Sequence, residues 1–160
     1  MKVNLGHGKW GVQMTVKNGV CYIEGSNHLL EWLHNVAPGA RYRERRWGAQ
    51  VVDYLAQSDE HIEVIAGHSL GGTVACTAAG QHLGYYLGKL RLYTYGAKRP
   101  ARPFHGIRGH HYRIKGDLVP YMPPWRQSLR CAVLDYGRLS PGEAHKPSAY
   151  YEQMKKDGVR

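Results

Sequence analysis

Residues 61–72 read HIEVIAGHSLGG, and this stretch decides which fold the sequence predicts. Its first part, HIEVIA at residues 61–66, is rich in branched apolar side chains and is typical of a buried strand. GHSLG at residues 67–71 has the form Gly-x-Ser-x-Gly, and the small residues after it favour a helix. A serine at such a strand-to-helix turn has an exposed hydroxyl, so Ser69 is a candidate nucleophile.

The Gly-x-Ser-x-Gly pattern also has a simpler interpretation, which is an ordinary glycine-rich turn. At average glycine and serine frequencies it would arise by chance in about one chain in twenty of this length. The strand before Ser69 and the helix after it are the context that a catalytic serine requires, and they favour the catalytic interpretation. The start of that helix would also direct backbone N–H groups to the place where negative charge develops.

Strands alternate with helices along the rest of the chain. The sequence predicts strands over residues 20–24, 61–66, 90–95, 110–114 and 130–136, and helices over 28–36, 48–57, 72–82 and 148–156. This alternation predicts an α/β fold, with a mostly parallel sheet covered by helices on both faces. Ligand sites in such sheets lie at the carboxyl ends of the strands, so the partners of Ser69 are expected there.

The order of residues along the chain suggests an acid and a base for Ser69. In α/β-hydrolases the acid and then a histidine follow the serine. Asp117 comes directly after the strand predicted at residues 110–114, and Asp135 is the alternative acid. A solvated loop aspartate is the simpler interpretation of Asp117. His145 is the only histidine after Asp117, and it lies in a loop from which a general base can reach a serine.

The other histidines suggest no further chemistry. His105, His110 and His111 could indicate a metal site, but adjacent residues on a strand point to opposite faces. We therefore expect neither a metal nor an organic cofactor. Cys21, Cys76 and Cys131 lack metal-ligand spacing, and we interpret them as small buried residues in a reducing compartment.

Length and hydropathy predict a single domain over residues 1–160, because this length is sufficient for a sizeable core. Residues 1–8 lack the apolar run of a signal peptide. No stretch reaches the roughly 18–20 apolar residues of a membrane span. These features predict a cytoplasmic protein.

The formal net charge of +10 is the unusual property of the composition. A basic surface can attract nucleic acid, anionic lipid headgroups or an acidic substrate. The positive residues are scattered apart from a cluster at Arg41, Arg43, Arg45 and Arg46, for which a solvated face is the simpler interpretation. No RNP, KH, helix-turn-helix or zinc-finger signature accompanies them, so nucleic acid is not an expected partner.

The sequence resembles the class 3 lipases, the fungal triacylglycerol lipase family, over about residues 22–151. Six segments match motifs of that family in the same order. They are YIEGS at 22–26, EWLHN at 31–35, GHSLGG at 67–72, YGAKRP at 95–100, DLVP at 117–120, and His145 with Tyr150 and Tyr151.

The resemblance implies a compact α/β-hydrolase fold and cleavage of lipid-type carboxylic esters by Ser69, Asp117 and His145. It also implies an oxyanion hole formed by the backbone N–H groups of Ser26 and Leu70, although Ser26 also suits a helix N-cap. Short members of the family occur in bacteria and their viruses. An anionic membrane would be a peripheral partner.

Three departures from the family leave parts of the prediction open. Glu24 replaces the usual arginine, RWG at residues 46–48 replaces a His-x-Gly-Phe motif, and the chain is shorter than the fungal enzymes. These differences leave open the range of esters, the presence of a lid, and acyl transfer to an acceptor other than water. A second class of function stays open too, namely a catalytically silent hydrolase fold that binds anionic lipid or nucleic acid through its basic surface.

Overall fold

The computed structural model describes residues 2–5, 12–25, 40–82, 89–98, 107–121 and 130–159. Within these ranges the chain forms a seven-stranded sheet whose strands lie side by side in chain order. The strands are β1 (Lys2–Leu5), β2 (Val12–Lys17), β3 (Val20–Glu24), β4 (Val64–His68), β5 (Arg91–Tyr95), β6 (Arg108–Ile114) and β7 (Arg130–Leu134).

The sheet is antiparallel from β1 to β3 and parallel from β3 to β7. In the parallel part Ile23 lies beside Gly67, and His68 lies beside Tyr95. Because the parallel strands point the same way, their carboxyl ends meet at one edge, here called the carboxyl edge. Ser69 and Asp117 both follow strands at this edge.

Helices cover both faces of the sheet. The described ranges hold α1 (Ala40–Gln57), α2 (Ser69–His82), α3 (Pro141–Ala144) and α4 (Tyr151–Lys156), with 3₁₀ turns at Val119–Tyr121 and Pro147–Tyr150. Helices α1 and α2 share one apolar core with the sheet, and the turn before α4 and α4 itself share the other. The predicted α/β class, with a mostly parallel sheet between helices, is therefore confirmed.

The segment around Ser69 differs from its prediction at both boundaries. The strand is Val64–His68 rather than 61–66, and the helix begins at Ser69 rather than at residue 72. The prediction treated the glycines as breaks between elements. They are instead part of the elements, because a nucleophile turn has no linker between strand and helix.

Other boundaries also need correction. Helix α1 begins at Ala40 rather than at residue 48, because its arginine-rich first turns still bury Glu44 and Trp47. The last strand ends at Leu134 instead of residue 136, and the predicted closing helix is divided into a 3₁₀ turn and α4. The helix predicted at residues 28–36 lies outside the described residues.

The cysteines fit their prediction only in part. Cys21 and Cys76 are buried, and burial raises the pKa of each thiol to about 12. Cys131 is exposed on β7, so the prediction that it is buried was wrong. None of the helices in the described ranges combines the length and the apolar character that a bilayer crossing requires.

Candidate active site

Ser69 lies at the junction of β4 and α2, with its backbone in the left-handed region at φ +52°. This conformation is unfavourable for a residue with a Cβ, and it is typical of a nucleophile turn. The turn is also tightly packed, since a Cβ at Gly71 would overlap the carbonyl oxygen of Ile23 on β3. Because Gly71 has no side chain, the start of α2 can contact the neighbouring strand β3.

The side chains of Ser69, His145 and Asp117 form a continuous chain of hydrogen bonds. His145 Nε2 is 2.9 Å from Ser69 Oγ, and His145 Nδ1 is 3.0 Å from each carboxylate oxygen of Asp117. Because an ionised carboxylate only accepts hydrogen bonds, Nδ1 of His145 is the donor. A neutral imidazole then has an unprotonated Nε2, which accepts the hydrogen of the Ser69 hydroxyl.

Asp117 is fully buried and satisfied by several donors. The Tyr150 hydroxyl donates to Oδ2 at 2.7 Å, and the Val119 N–H donates to Oδ1 at 3.0 Å. Burial, followed by the adjacent carboxylate, raises the pKa of Tyr150 above its ordinary value. The phenol therefore keeps its proton and remains a donor, while its oxygen accepts the N–H of Ile114 at 3.0 Å.

A short helix presents His145 to the serine. Ser140 caps α3, and Glu143 completes a capping box by accepting from the hydroxyl and the N–H of Ser140. These hydrogen bonds lower the pKa of Glu143. Ala144 is buried in the core beneath α3, and His145 is the C-cap. His145 therefore follows a helix that is capped at its start and packed against the core at its end.

A second histidine links the strand of the serine to the segment of the base. His68 is the last residue of β4, and its side chain is buried. Its Nε2 lies 2.8 Å from the backbone carbonyl oxygen of His145. The two imidazole centroids are 5.1 Å apart, and the ring of Tyr150 lies 5.8 Å from that of His68. Since a carbonyl only accepts, Nε2 of His68 is the donor.

The backbone N–H of Leu70 belongs to the first turn of α2, where N–H groups have no partner within the helix. The chain leaving β3 passes directly beside it, because a Cβ at Gly25 would lie 3.1 Å from the Leu70 nitrogen. Ser26, the other predicted oxyanion donor, lies outside the described residues. The structure therefore locates Leu70 beside Ser69 and is silent on Ser26.

The alternative acid lies away from the serine. Asp135 is exposed, its Oδ2 is 3.1 Å from Lys115 Nζ, and its Oδ1 accepts from the Gly137 N–H. The Gly137 bond, followed by the Lys115 partner, lowers the pKa of Asp135. The structure thus brings together Ser69, Asp117 and His145, and their catalytic roles stay predictions.

The remaining histidines and the basic cluster can be located in part. His111 is buried and lies 2.6 Å from Thr94 Oγ1, while His105 is outside the described residues. In the part of the chain that the structure describes, no group of three His, Cys, Asp or Glu residues could hold a metal ion. Arg45 and Arg46 are exposed on α1, as a solvated helix face requires, whereas Arg43 is half-buried and the side chain of Arg41 lies outside the described residues.

Sequence reasoning gave no role to His68 and none to Gly25. The signal for His68 was its position as the variable residue before the serine in Gly-x-Ser-x-Gly. The signal for Gly25 was a glycine directly after a strand at the carboxyl edge. Neither position identifies a contact until the neighbouring elements are in place.

A mostly parallel sheet with helices on both faces, and a serine in the left-handed conformation between β4 and α2, are typical of the α/β-hydrolase fold. Solved fungal lipases share it. The Rhizomucor miehei lipase propeptide complex is 24% identical at a TM-score of 0.50, covering 71% of this chain and 47% of that chain. Lipase II from Rhizopus niveus is 20% identical at a TM-score of 0.52, and the match covers 71% of this chain and 55% of that chain.

A mutant form of MDLA from Penicillium cyclopium is 16% identical at a TM-score of 0.54, covering 89% of this chain and 63% of that chain. This chain therefore spans about half to under two thirds of the length of these three structures. No protein-family model and no curated protein sequence matches it. At these identities the similarity shows the fold alone.

Proposed function

We propose that this protein is a serine hydrolase that cleaves lipid-type carboxylic esters through an acyl-enzyme, as a relative of the class 3 lipases. The observation that carries the proposal is the hydrogen-bonded series from Ser69 Oγ to His145 and on to Asp117. The α/β-hydrolase fold and the ordered family motifs support it. We expect no metal or organic cofactor to take part.

In the proposed mechanism Ser69 Oγ attacks the ester carbonyl while His145 Nε2 takes its proton. Asp117 keeps the imidazole oriented and stabilises the positive charge that the ring acquires. The N–H of Leu70, assisted by that of Ser26, holds the negatively charged oxygen of the tetrahedral intermediate. One such donor is typically worth about 10²- to 10³-fold in rate.

The intermediate then collapses, and the alcohol leaves with the proton that His145 returns to it. Water attacks the acyl-enzyme with His145 as the base again, and the carboxylic acid is released. This second half makes the enzyme a hydrolase. An alcohol or thiol in place of water would give acyl transfer by the same residues.

The preference for lipid-type esters is supported by exposed side chains in the segment next to Asp117. Leu118 and Tyr121 follow Asp117 at the carboxyl edge and are 60% and 45% exposed. Exposed apolar residues beside a site suit an apolar substrate better than a small polar one. The structures from Rhizomucor miehei and Rhizopus niveus are of lipases, and we extend that chemistry to this chain as a proposal.

Labelling with a fluorophosphonate probe tests the nucleophile without knowledge of the substrate. We expect a single adduct by intact mass, mapped to Ser69, which is absent from Ser69→Ala and retained in the matched control Ser58→Ala. No adduct on a folded protein would contradict the proposal, and the silent binding module would then become the leading interpretation. A series of p-nitrophenyl esters of increasing acyl length would next define the substrate.

We also propose that the basic surface brings the enzyme to anionic lipid. Helix α1 returns the chain from the carboxyl end of β3, so its first turns lie at the edge where Ser69 lies. Tyr42 is 72% exposed there, and Arg45 and Arg46 are exposed nearby. We expect co-sedimentation with phosphatidylglycerol vesicles that is weak with phosphatidylcholine, is lost at high salt, and is reduced in Arg45→Gln with Arg46→Gln. Equal binding to phosphatidylglycerol and phosphatidylcholine vesicles would contradict the proposed role of the basic surface.

A further inference from the structure

We propose that His68 is a positioning residue, which holds the segment of the catalytic base against the strand of the nucleophile. This inference rests on the proposed function, since it concerns the reaction of Ser69 and His145. The feature that carries it is the hydrogen bond from His68 Nε2 to the backbone carbonyl oxygen of His145 at 2.8 Å.

The position of His68 in the chain makes this hydrogen bond informative. His68 precedes Ser69 directly, so its backbone is rigidly connected to the nucleophile, while its side chain holds the backbone of the base. One residue thus joins two elements that are far apart in sequence, β4 and the end of α3. Any shift of His145 relative to Ser69 would stretch or break this contact.

The contact restrains a part of His145 that the other two hydrogen bonds do not reach. Asp117 and Ser69 each bind a ring nitrogen, and both bonds can persist while the ring and its backbone tilt together. The bond from His68 fixes the backbone at the same residue. The tilted packing of the two imidazoles, with centroids 5.1 Å apart, limits the space into which the His145 ring can swing.

Burial keeps the hydrogen bond in place and makes it costly to lose. His68 is only 4% exposed, and Tyr150, which also binds Asp117, lies 5.8 Å from its ring. Without this hydrogen bond the partly buried carbonyl of His145 would lack its donor, and the segment would shift to recover a partner. A displacement of about 1 Å between catalytic groups can reduce a rate by about 100-fold.

Other contacts also hold the base segment, so the expected effect is intermediate. The capping box between Ser140 and Glu143 and the buried Ala144 remain when His68 is changed. The protein should therefore fold, and His145 should occupy its working position for a smaller fraction of the time. A change of His68 should therefore lower the reactivity of Ser69 more than it lowers the affinity for substrate.

The test compares two variants of the same residue. His68→Leu keeps an apolar bulk without a donor, and His68→Gln keeps an N–H group at about the reach of Nε2. We expect His68→Leu to lower the second-order rate of fluorophosphonate labelling and kcat by about 10- to 100-fold, with KM changed less than about threefold. His68→Gln should recover most of the loss.

A matched control separates positioning from general stability. His111 is also a buried histidine with a side-chain hydrogen bond, to Thr94 at 2.6 Å, but it lies on β6 away from Ser69. His111→Leu should lower the free energy of unfolding while the labelling rate stays within about twofold of the wild type. That difference would show that the slow labelling of His68→Leu is not a general effect of losing a buried histidine.

Two outcomes would overturn the inference. The first is wild-type labelling by folded His68→Leu, and the second is an equal loss in His68→Leu and His68→Gln, which would mean that the donor is irrelevant. If His68→Leu does not fold, His68→Asn, whose amide is too short to reach, replaces it in the comparison. Absence of labelling in the wild type itself would remove the proposed function together with this inference, and so differs from both outcomes.

Discussion

Asp117 is a fully buried carboxyl group whose two oxygens both have hydrogen-bond partners. An ionised group removed from water is costly unless its oxygens accept hydrogen bonds. Here Oδ1 accepts from Val119 and His145, and Oδ2 accepts from Tyr150 and His145. Val119 lies two residues after Asp117, whereas His145 and Tyr150 are about 30 residues further along the chain. Sequence reasoning proposed Asp117 and His145 from their order in the chain, but it did not predict the hydrogen bonds from Val119 and Tyr150.

We predict that Asp117→Asn lowers kcat by on the order of 10⁴-fold, because an amide no longer selects the His145 tautomer that leaves Nε2 free to accept. The matched control is Asp135→Asn, at the alternative acid, which is exposed and paired with Lys115. Its activity should remain within about twofold of the wild type. Steady-state ester hydrolysis by both folded variants measures this, and a comparable loss in Asp135→Asn would transfer the role to that residue.

At the scale of elements, β3, β4 and α2 pack tightly where they converge at the carboxyl edge. The hydrophobic pattern predicted each of these elements, because buried strands and a helix of small residues have recognisable sequences. Their boundaries were harder, since the strained turn at Ser69 leaves no linker. The hairpin of β1 and β2 was not predicted, although Val12, Met14 and Val16 alternate as buried residues and carry the usual signal of period two.

We predict that Gly25→Ala impairs catalysis at this convergence. The new methyl group would lie 2.7 Å from the His68 carbonyl oxygen, 3.0 Å from Ser69 Cβ and 3.1 Å from the Leu70 nitrogen. It would displace the turn and cover an oxyanion donor, so we expect kcat to fall by at least about 100-fold. Overpacking should also cost about 1–3 kcal/mol of unfolding free energy.

The control for this change is Gly142→Ala in α3, where a Cβ would meet nothing within 4 Å. This variant should retain both activity and stability. Ester hydrolysis and urea unfolding of the two variants make the comparison. Wild-type kcat in Gly25→Ala would mean that the chain after β3 is not needed near Leu70.

At the scale of the whole molecule, burial in the two cores favours the protonated forms of cysteine thiols and tyrosine phenols. Burial raises the pKa of Cys21 and Cys76, and it also raises that of Tyr95, whose hydroxyl donates to Asp157 at 2.7 Å. Tyr150 behaves in the same way. The folded protein thus keeps protons that the unfolded chain releases above about pH 9 for thiols and pH 10 for phenols.

We predict that stability is lost in alkali as a consequence. Each raised pKa stabilises the fold fully below the pKa of the unfolded chain. The free energy of unfolding should then fall by about 1.4 kcal/mol per pH unit for each such group as the pH rises. Urea unfolding at several values between pH 8 and 11 measures the slope. Tyr95→Phe should reduce the fall of unfolding free energy with pH above pH 10. An unchanged slope in this variant would contradict the raised pKa of Tyr95.

The backbone at Ser69 has one more consequence, which concerns how the sequence can change over time. The left-handed conformation found at Ser69 costs a residue with a Cβ about 1–2 kcal/mol of free energy, whereas glycine adopts it freely. The turn itself would therefore be more stable with glycine at this position. A lineage that had no use for the hydroxyl would drift towards glycine, so the serine is a residue that selection must continually maintain against stability.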